Sequence, residues 1–351
     1  MIDDNLFEYF YYNKNTHKPT LSVWLLAYNH EFFIKNCLQG IFAQKTSFNF
    51  EILIGDDCST DNTFKIIDEI LCNQSISATF LKSRNNLWNR CNTELAFNLY
   101  KLCKGKYIAL CEGDDYWTDP YKLQKQVDYL EANPDCSICT HWVKTKKGND
   151  EPFDEELVSG RIRPQIINSS DMFIDKGRET MKGIPFMSLS IVARKKCFEF
   201  TSKIIKNIPG GDNAIWVNAL EHGYAYCIPE YMGVYRKHGT STWSSLNTTH
   251  KNIQILVNLL YIKKYYQKYS KRINLLFTKE LKEWSEWDFN HNVYKDFTKS
   301  ILHFISRHPL FSVTLLKFFF LVSFFYFYRN LRCITKQNFG LLLSIFIKKI
   351  I

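Results

Sequence analysis

Lys106-Tyr-Ile-Ala-Leu-Cys-Glu-Gly-Asp-Asp-Tyr-Trp-Thr-Asp-Pro-Tyr-Lys-Leu123 is the stretch on which the reading of this chain turns. Residues 107–111 are apolar and few enough to be one buried strand. The run breaks into three carboxylates within four residues, Glu112, Asp114 and Asp115, with Gly113 among them. Glycine permits a tight turn and lets a ligand come close. Crowded carboxylates repel one another unless a cation or a donor-rich ligand neutralises them. Oxygen ligands of this kind suit Mg²⁺ or Mn²⁺, and Mg²⁺ is commonly held by one or two carboxylates together with substrate phosphates. The other reading of the same residues is a solvated acidic turn ahead of a helix beginning near Thr118-Asp119-Pro120.

The flanking sequence repeats the pattern. Residues 21–27 read as a buried strand, Tyr28-Asn29-His30 as a loop, and 31–44 as a helix by the spacing of Phe33, Cys37, Leu38, Ile41 and Phe42. A second strand at 50–55 again ends in carboxylates, Asp56 and Asp57. Ser59-Thr60-Asp61 then caps a helix running to about Cys72. A short strand at 78–81 and a helix at about 92–103 precede the strand that opened this reading. A helix at 121–133 and a strand at 136–142 follow it. Strands alternating with helices of this length predict an α/β fold with a mostly parallel central sheet flanked by helices. In such sheets ligands bind beyond the carboxyl ends of the strands. Here three such ends carry polar residues: Tyr28-Asn29, Asp56-Asp57 and Glu112 to Asp115.

Farther along, residues 144–165 are charged and contain Pro and Gly, which predicts a loop over that edge. Strand character returns at 185–193, and 194–207 reads as helical. Gly210-Gly-Asp-Asn-Ala-Ile-Trp216 reads as a glycine-introduced helix with Asp212 at its start. Two short strands are expected at 224–228 and 232–236, and residues 1–20 as an irregular extension packed on the domain.

With 351 residues, 46% hydrophobic and 16% aromatic, the chain can bury a substantial core, so disorder is excluded. The net charge of +10 is unevenly spread: residues 1–135 hold 13 Lys/Arg against 18 Asp/Glu. An acidic site in that part argues against nucleic-acid binding, where phosphates would need cations. The eleven cysteines show no paired zinc spacing, and Cys136-Ser-Ile-Cys139 reads as strand, so reduced buried thiols in a cytosolic protein are expected. Met1-Ile-Asp-Asp-Asn-Leu6 is acidic and lacks the features of a secretory signal.

From about Ser244 the pattern changes to long helical stretches, and residues 251–351 carry 17 Lys/Arg against 5 Asp/Glu. Residues 310–328 are almost wholly apolar and approach the length of a bilayer span, but Lys317 at their middle makes spanning costly. An aromatic helix lying in the cytoplasmic face of a membrane, with basic neighbours on anionic lipid, fits better; a buried or dimer-forming helix is the other reading. The expected organisation is a catalytic domain over 1–243 and a helical, basic and apolar extension over 244–351.

Leu25-Leu-Ala-Tyr-Asn29, Ile54-Gly-Asp-Asp-Cys-Ser-Thr-Asp-Asn-Thr63, Gly105-Lys-Tyr-Ile-Ala-Leu-Cys-Glu-Gly-Asp-Asp-Tyr-Trp117 and Tyr235-Arg-Lys-His-Gly-Thr-Ser241 together resemble the ordered motifs of family 2 glycosyltransferases over roughly residues 20–243. The resemblance implies a GT-A (Rossmann-like) fold, a nucleotide-sugar donor of UDP type, a divalent cation (Mn²⁺ or Mg²⁺), and a glycan or lipid-linked acceptor in surface polysaccharide synthesis. It implies that Ala27, Tyr28 and Asn29 border the nucleotide and that Asp57 accepts a hydrogen bond from the base. Asp56 touches the ribose or braces its turn. Asn86 and Asn92 match donor-side positions or serve a helix-capping loop. Gly113 and Asp114 lie at the diphosphate, with Asp114, Glu112 and His238 as the metal candidates; the family usually has Asp where this chain has Glu112. Arg236 would fork onto phosphate oxygens. Asp115 and Trp117 would face the donor sugar or the acceptor, although core packing serves Trp117 equally well. Asp212 matches the general base of an inverting displacement, with Gly211 where a second acidic residue is usual. A nucleotidyltransferase would want a Gly-rich basic phosphate loop near the first strand, and residues 25–31 have none. A non-catalytic nucleotide- or carbohydrate-binding module is the remaining alternative.

Overall fold

The computed structural model describes residues 5–13, 18–87, 94–147, 166–169, 171, 186–198, 212–239, 251, 255, 258–259 and 262–276. The chain divides into two compact units, one of Met1–Met172, Ile184–Asn207 and Gly211–Ser245, the other of Phe173–Gly183, Ile208–Gly210 and Leu246–Ile351.

The first unit is built on a twisted sheet. Its parallel centre is β2 (Leu21–Ala27), β3 (Phe50–Asp56), β4 (Ala78–Ser83) and β5 (Tyr107–Glu112), paired in the order β4-β3-β2-β5. Right-handed crossovers are the norm for such units, and the connections here are α1 (Ile34–Phe42), α2 (Thr63–Cys72) and α3 (Glu94–Leu102). These helices bury the apolar stripe visible in the sequence: Ile34, Cys37, Leu38 and Ile41 on α1, and Ile67 and Leu71 on α2. β2 is buried almost throughout, as a strand covered on both faces must be.

The flanks are antiparallel. β1 (Phe7–Tyr12) pairs with β4 at one edge. This corrects the expectation of an irregular extension: Phe7, Tyr9 and Tyr11 alternate with Glu8, Phe10 and Tyr12, and six residues register on Ala78 to Ser83. On the other side β9 (Val192–Arg194) runs antiparallel to both β5 and β7 (Cys136–Lys147). β7 therefore points the same way as β5. β10 (Tyr224–Lys237) is parallel to β7, so Arg236 and Lys237 arrive at the same edge as Glu112. The two short strands expected at 224–236 are one strand with register shifts between Ile228 and Gly233. Pro229 lacks the donor an uninterrupted ladder needs, and Gly233 permits close packing. β6 (Tyr116–Trp117) pairs with β10, and β8 (Ile166–Ile167) also pairs with it. α4 (Lys122–Ala132) links β6 to β7.

The strand expected at 185–193 is shorter than predicted: residues Ser188–Ser190 form a 3₁₀ turn and only Val192–Arg194 joins the sheet. Lys195–Phe198 is 3₁₀ where a helix was expected. The thiols at Cys37, Cys103, Cys111, Cys136, Cys139, Cys197 and Cys227 are buried and unpaired as disulfides, as expected of apolar fillers.

In the second unit, Leu259, Ile262, Ile273 and Leu276 are buried. No helix among the described residues is long and apolar enough to cross a membrane. The apolar segment 310–328 and most of the expected loop at 144–165 lie outside the described residues.

Candidate active site

The carboxyl ends of β2, β3, β5 and β10 converge, and three of them hold one another in place. Asn29 follows β2 with φ of 54°, a left-handed conformation that asparagine tolerates better than most residues. Its Oδ1 accepts from the Thr60 amide at 2.8 Å, and its own amide donates to Ser59 Oγ at 2.9 Å. Beyond it the Glu31 amide donates to Asp61 Oδ2, and Glu31 accepts from Asn62. The β2 loop is thus clamped to the β3 loop by side chains from the Ser-Thr-Asp-Asn run.

Asp56 is fully buried and accepts from both the amide and the hydroxyl of Ser59. Burial pushes its carboxyl up to about 6, against the pull of the two Ser59 donors. Of the two readings offered for Asp56, bracing the turn is the one these contacts support. Asp57 is also buried; its amide donates to the Ala27 carbonyl at 3.0 Å, and its Oδ1 accepts from the Leu87 amide at 2.8 Å. Asn86 Nδ2 lies 3.3 Å from the Asp57 carbonyl. Tyr28 is exposed beside them. Asn92 lies outside the described residues.

At the tip of β5, the Gly113 amide donates to the Leu26 carbonyl at 2.8 Å. A Cβ at Gly113 would sit 2.7 Å from His30 Nδ1 and 3.0 Å from Ile34 Cδ1. Glycine is required here for close approach, and the group that approaches is a histidine. His238, just past β10, places Nε2 3.0 Å from Asp114 Oδ2, and His30 Nε2 lies 3.8 Å from the same oxygen. Burial alone would raise the Asp114 carboxyl; the His238 hydrogen bond and nearby His30 hold it below its ordinary value. Burial depresses His30 in turn, with Asp114 opposing. Among the described residues, buried His30 Nδ1 has no hydrogen-bond partner. The His238 ring leans on Phe33, centroids 4.4 Å apart.

Arg236 threads between two rings, its guanidinium carbon 4.3 Å from the Tyr116 centroid and 5.4 Å from that of Phe33. Its NH1 donates to the Asp114 carbonyl at 2.7 Å, and its amide donates to Asp115 Oδ1 at 2.9 Å. One arm of the fork expected to reach phosphate therefore supports the Asp114 turn instead. Asp115 is fully buried, and burial together with Asp114 and Glu112 drives its carboxyl well above the usual range. Trp117 is 3% exposed, donates from Nε1 to the Leu189 carbonyl at 2.8 Å, and carries the Lys122 ammonium 4.1 Å above its ring. The expectation turned Asp115 and Trp117 toward the donor sugar or acceptor, with core packing equally open for Trp117; both are buried here, each with a hydrogen-bond partner inside the protein. Asp212 is the first residue of α5 (Asp212–Glu221), whose Trp216, Val217 and Ala219 are buried.

Asp114 Oδ2 and His238 Nε2 are the pair that could share a cation. Among the described residues no three or more His, Cys, Asp or Glu enclose an ion by themselves. A two-donor set does not fit a closed structural metal site. It fits an ion such as Mn²⁺ or Mg²⁺ that completes its shell with water and phosphate oxygens. His30 and Phe33 were missed by sequence reasoning. Both sit in the loop and helix after β2, and the only signal was the position of His30 directly behind Tyr28-Asn29.

The model of glycosyl transferase family 2 matches residues 22–198. An uncharacterized protein of Mycobacterium tuberculosis strain H37Rv is 32% identical over 228 residues, which span 65% of this chain and 62% of that protein. The putative teichuronic acid biosynthesis glycosyltransferase TuaG of Bacillus subtilis strain 168 is 24% identical over 245 residues, covering 66% of this chain and 86% of the relative. Among solved structures, S. aureus TarS 1–349 in complex with UDP-GlcNAc superposes with a TM-score of 0.57 at 14% identity, over 87% of this chain and 86% of that one. The mannosyltransferase PcManGT from Pyrobaculum calidifontis, in complex with GDP-Man and Mn²⁺, gives 0.51 at 15% identity, over 76% and 73%. Both are likenesses of fold.

Proposed function

The chain belongs to glycosyl transferase family 2, and from that membership we propose that it moves a sugar from a nucleotide-diphosphate donor to a hydroxyl of a glycan or lipid-linked acceptor, with inversion at the anomeric carbon, in surface polysaccharide synthesis. The observation that carries the reading is the meeting of Asp114 and His238 at 3.0 Å, at the strand edge that Ala27, Asn29 and Asp57 also border.

In this reading Asp57 and Tyr28 receive the base, and Asn29 and Gly113 hold the turns that border the diphosphate. Asp114 and His238 would hold a divalent cation, which when bound supplies positive charge to the diphosphate and makes it a better leaving group. Arg236 and Phe33 keep that pair aligned: the guanidinium anchors the Asp114 carbonyl and the ring backs His238. The acceptor oxygen attacks the anomeric carbon as the bond to the diphosphate oxygen breaks. Asp212 takes the acceptor proton, a contribution typically worth ~10²–10⁴-fold. The donor complexes of the structural neighbours, with UDP-GlcNAc and with GDP-Man, support a nucleotide sugar here, and the UDP form is the one proposed.

The test is turnover of a panel of nucleotide sugars with Mn²⁺ by wild type and Asp212→Asn. Turnover should fall about 10²–10⁴-fold in the variant while UDP affinity stays within about twofold. Equal turnover would remove Asp212 from the reaction, and turnover of no donor by either protein would contradict the transfer itself.

A further inference from the structure

The opposite end of the same sheet carries a second charged feature that the transfer reaction does not use. Lys18 precedes β2, Gly105 and Lys106 precede β5, and Arg194 ends β9, which runs antiparallel to β5, with Lys195 and Lys196 following it. Together with Lys104 they line a cavity of about 490 Å³. β5 is six residues long, so at about 3.3 Å per residue this cavity lies roughly 20 Å from the Asp114 turn.

Its charge is largely uncompensated. Lys106 is paired with Glu131 at 2.6 Å, and Lys195 Nζ donates to the Cys103 carbonyl. Arg194 is buried and spends its donors on the Cys136, Leu130 and Asn133 carbonyls and on the Tyr107 hydroxyl, which fixes its positive charge in the wall, with the Glu131 carboxylate that pairs with Lys106 within its electrostatic reach. Glu51 lies beneath, occupied by Ser22 Oγ and the Lys104 amide. Among the described residues the ammonium groups of Lys18, Lys104 and Lys196 have no carboxylate partner, and all three are exposed. Like charges held around a concavity repel one another, so the arrangement costs stability unless an anion occupies it. Ammonium groups on flexible stems bind phosphate as point charges, and the volume suits a small multiply charged group better than a flat surface.

We propose that this lysine-lined cavity is a second anion site that takes clustered phosphate groups, either of a soluble polyphosphate-bearing molecule or of a phosphorylated lipid headgroup. The proposal is independent of the transfer reaction. Its test uses the full chain, without divalent metal so that the Asp114 turn does not contribute, and compares wild type with Lys104→Glu/Lys196→Glu. Both side chains are exposed and the reversal relieves like-charge repulsion, so the variant should have a thermal midpoint no lower than wild type and keep donor turnover.

Titration with tripolyphosphate should show binding by wild type that weakens with added salt. The double charge reversal should weaken it about tenfold or more. Flotation with phosphatidylcholine vesicles, with and without phosphatidylglycerol, separates the sources. Loss of phosphatidylglycerol-dependent flotation in the variant alongside loss of tripolyphosphate binding identifies a lipid headgroup. Unchanged or absent flotation with loss of tripolyphosphate binding identifies a soluble ligand. Equal tripolyphosphate affinity in the two proteins, or none in wild type, overturns the site.

Discussion

His141 shows how much a single side chain reports about this interior. It is buried in β7, and its Nδ1 lies 2.6 Å from the Trp142 carbonyl. A carbonyl only accepts, so Nδ1 carries the proton and the ring is neutral. Burial and the nearby Lys122 depress it from 6.5 to about 3. Between those values the unfolded chain binds a proton that the folded chain refuses. Stability from this group is therefore complete above 6.5 and is lost as pH falls toward 3, by about 1.4 kcal/mol per unit. His30 is depressed by burial in the same direction. Urea unfolding between pH 6.5 and 4.5 should show a shallower acid limb in His141→Asn than in wild type. An identical slope would mean that the wild-type ring is already protonated in the folded state. Neither histidine could be read this way from sequence, because a lone histidine gives no sign of whether its strand is covered on both faces.

Among the elements, the turn after β5 is the most constrained. Glycine there is expected to let a ligand come close, but the space beside its Cα is taken by Nδ1 of His30. Gly113→Ala should cost about 1–3 kcal/mol by overpacking, measured by denaturant unfolding, because the ring must move away from Asp114. Stability equal to wild type would show that the β2 loop yields freely and does not brace the site. The strands of the parallel centre were legible because their apolar runs end in turn residues, and α1 and α2 because their buried positions recur at helical spacing. What was not legible depended on partners distant in sequence. β1 is a strand because β4 offers an open edge, and β10 continues through Pro229 because β7 supports it on one side and β6 and β8 pair with its two ends. Asp115 and Trp117 looked like ligand contacts from their place in an acidic motif. In the fold the backbone amide of Arg236 donates to Asp115 Oδ1 and the carbonyl of Leu189 accepts from Trp117, partners 121 and 72 residues away.

At the scale of the whole molecule, one sheet presents opposite charges at its two ends. Its carboxyl edge gathers Asp56, Asp57, Asp114 and Asp115, and its amino edge gathers Lys18, Lys104, Lys106, Arg194, Lys195 and Lys196. Sequence order alone brought out the first set, because each acidic pair directly follows a strand. The second set stayed hidden because its members come from three separate strand ends, and Arg194-Lys195-Lys196 is too short a run to point to the other two. The proposed function places the donor at the carboxyl edge, and its test is calorimetric titration of UDP in the presence and absence of Mn²⁺ for wild type, Asp114→Asn and His238→Ala. The expected result is Mn²⁺-dependent UDP binding by wild type, weakened at least about tenfold in each variant. A saturating complex should also stabilise wild type by about 2.7 kcal/mol at one hundred times its dissociation constant. UDP binding that is indifferent to Mn²⁺, or equal in all three proteins, would contradict a diphosphate held through Asp114 and His238.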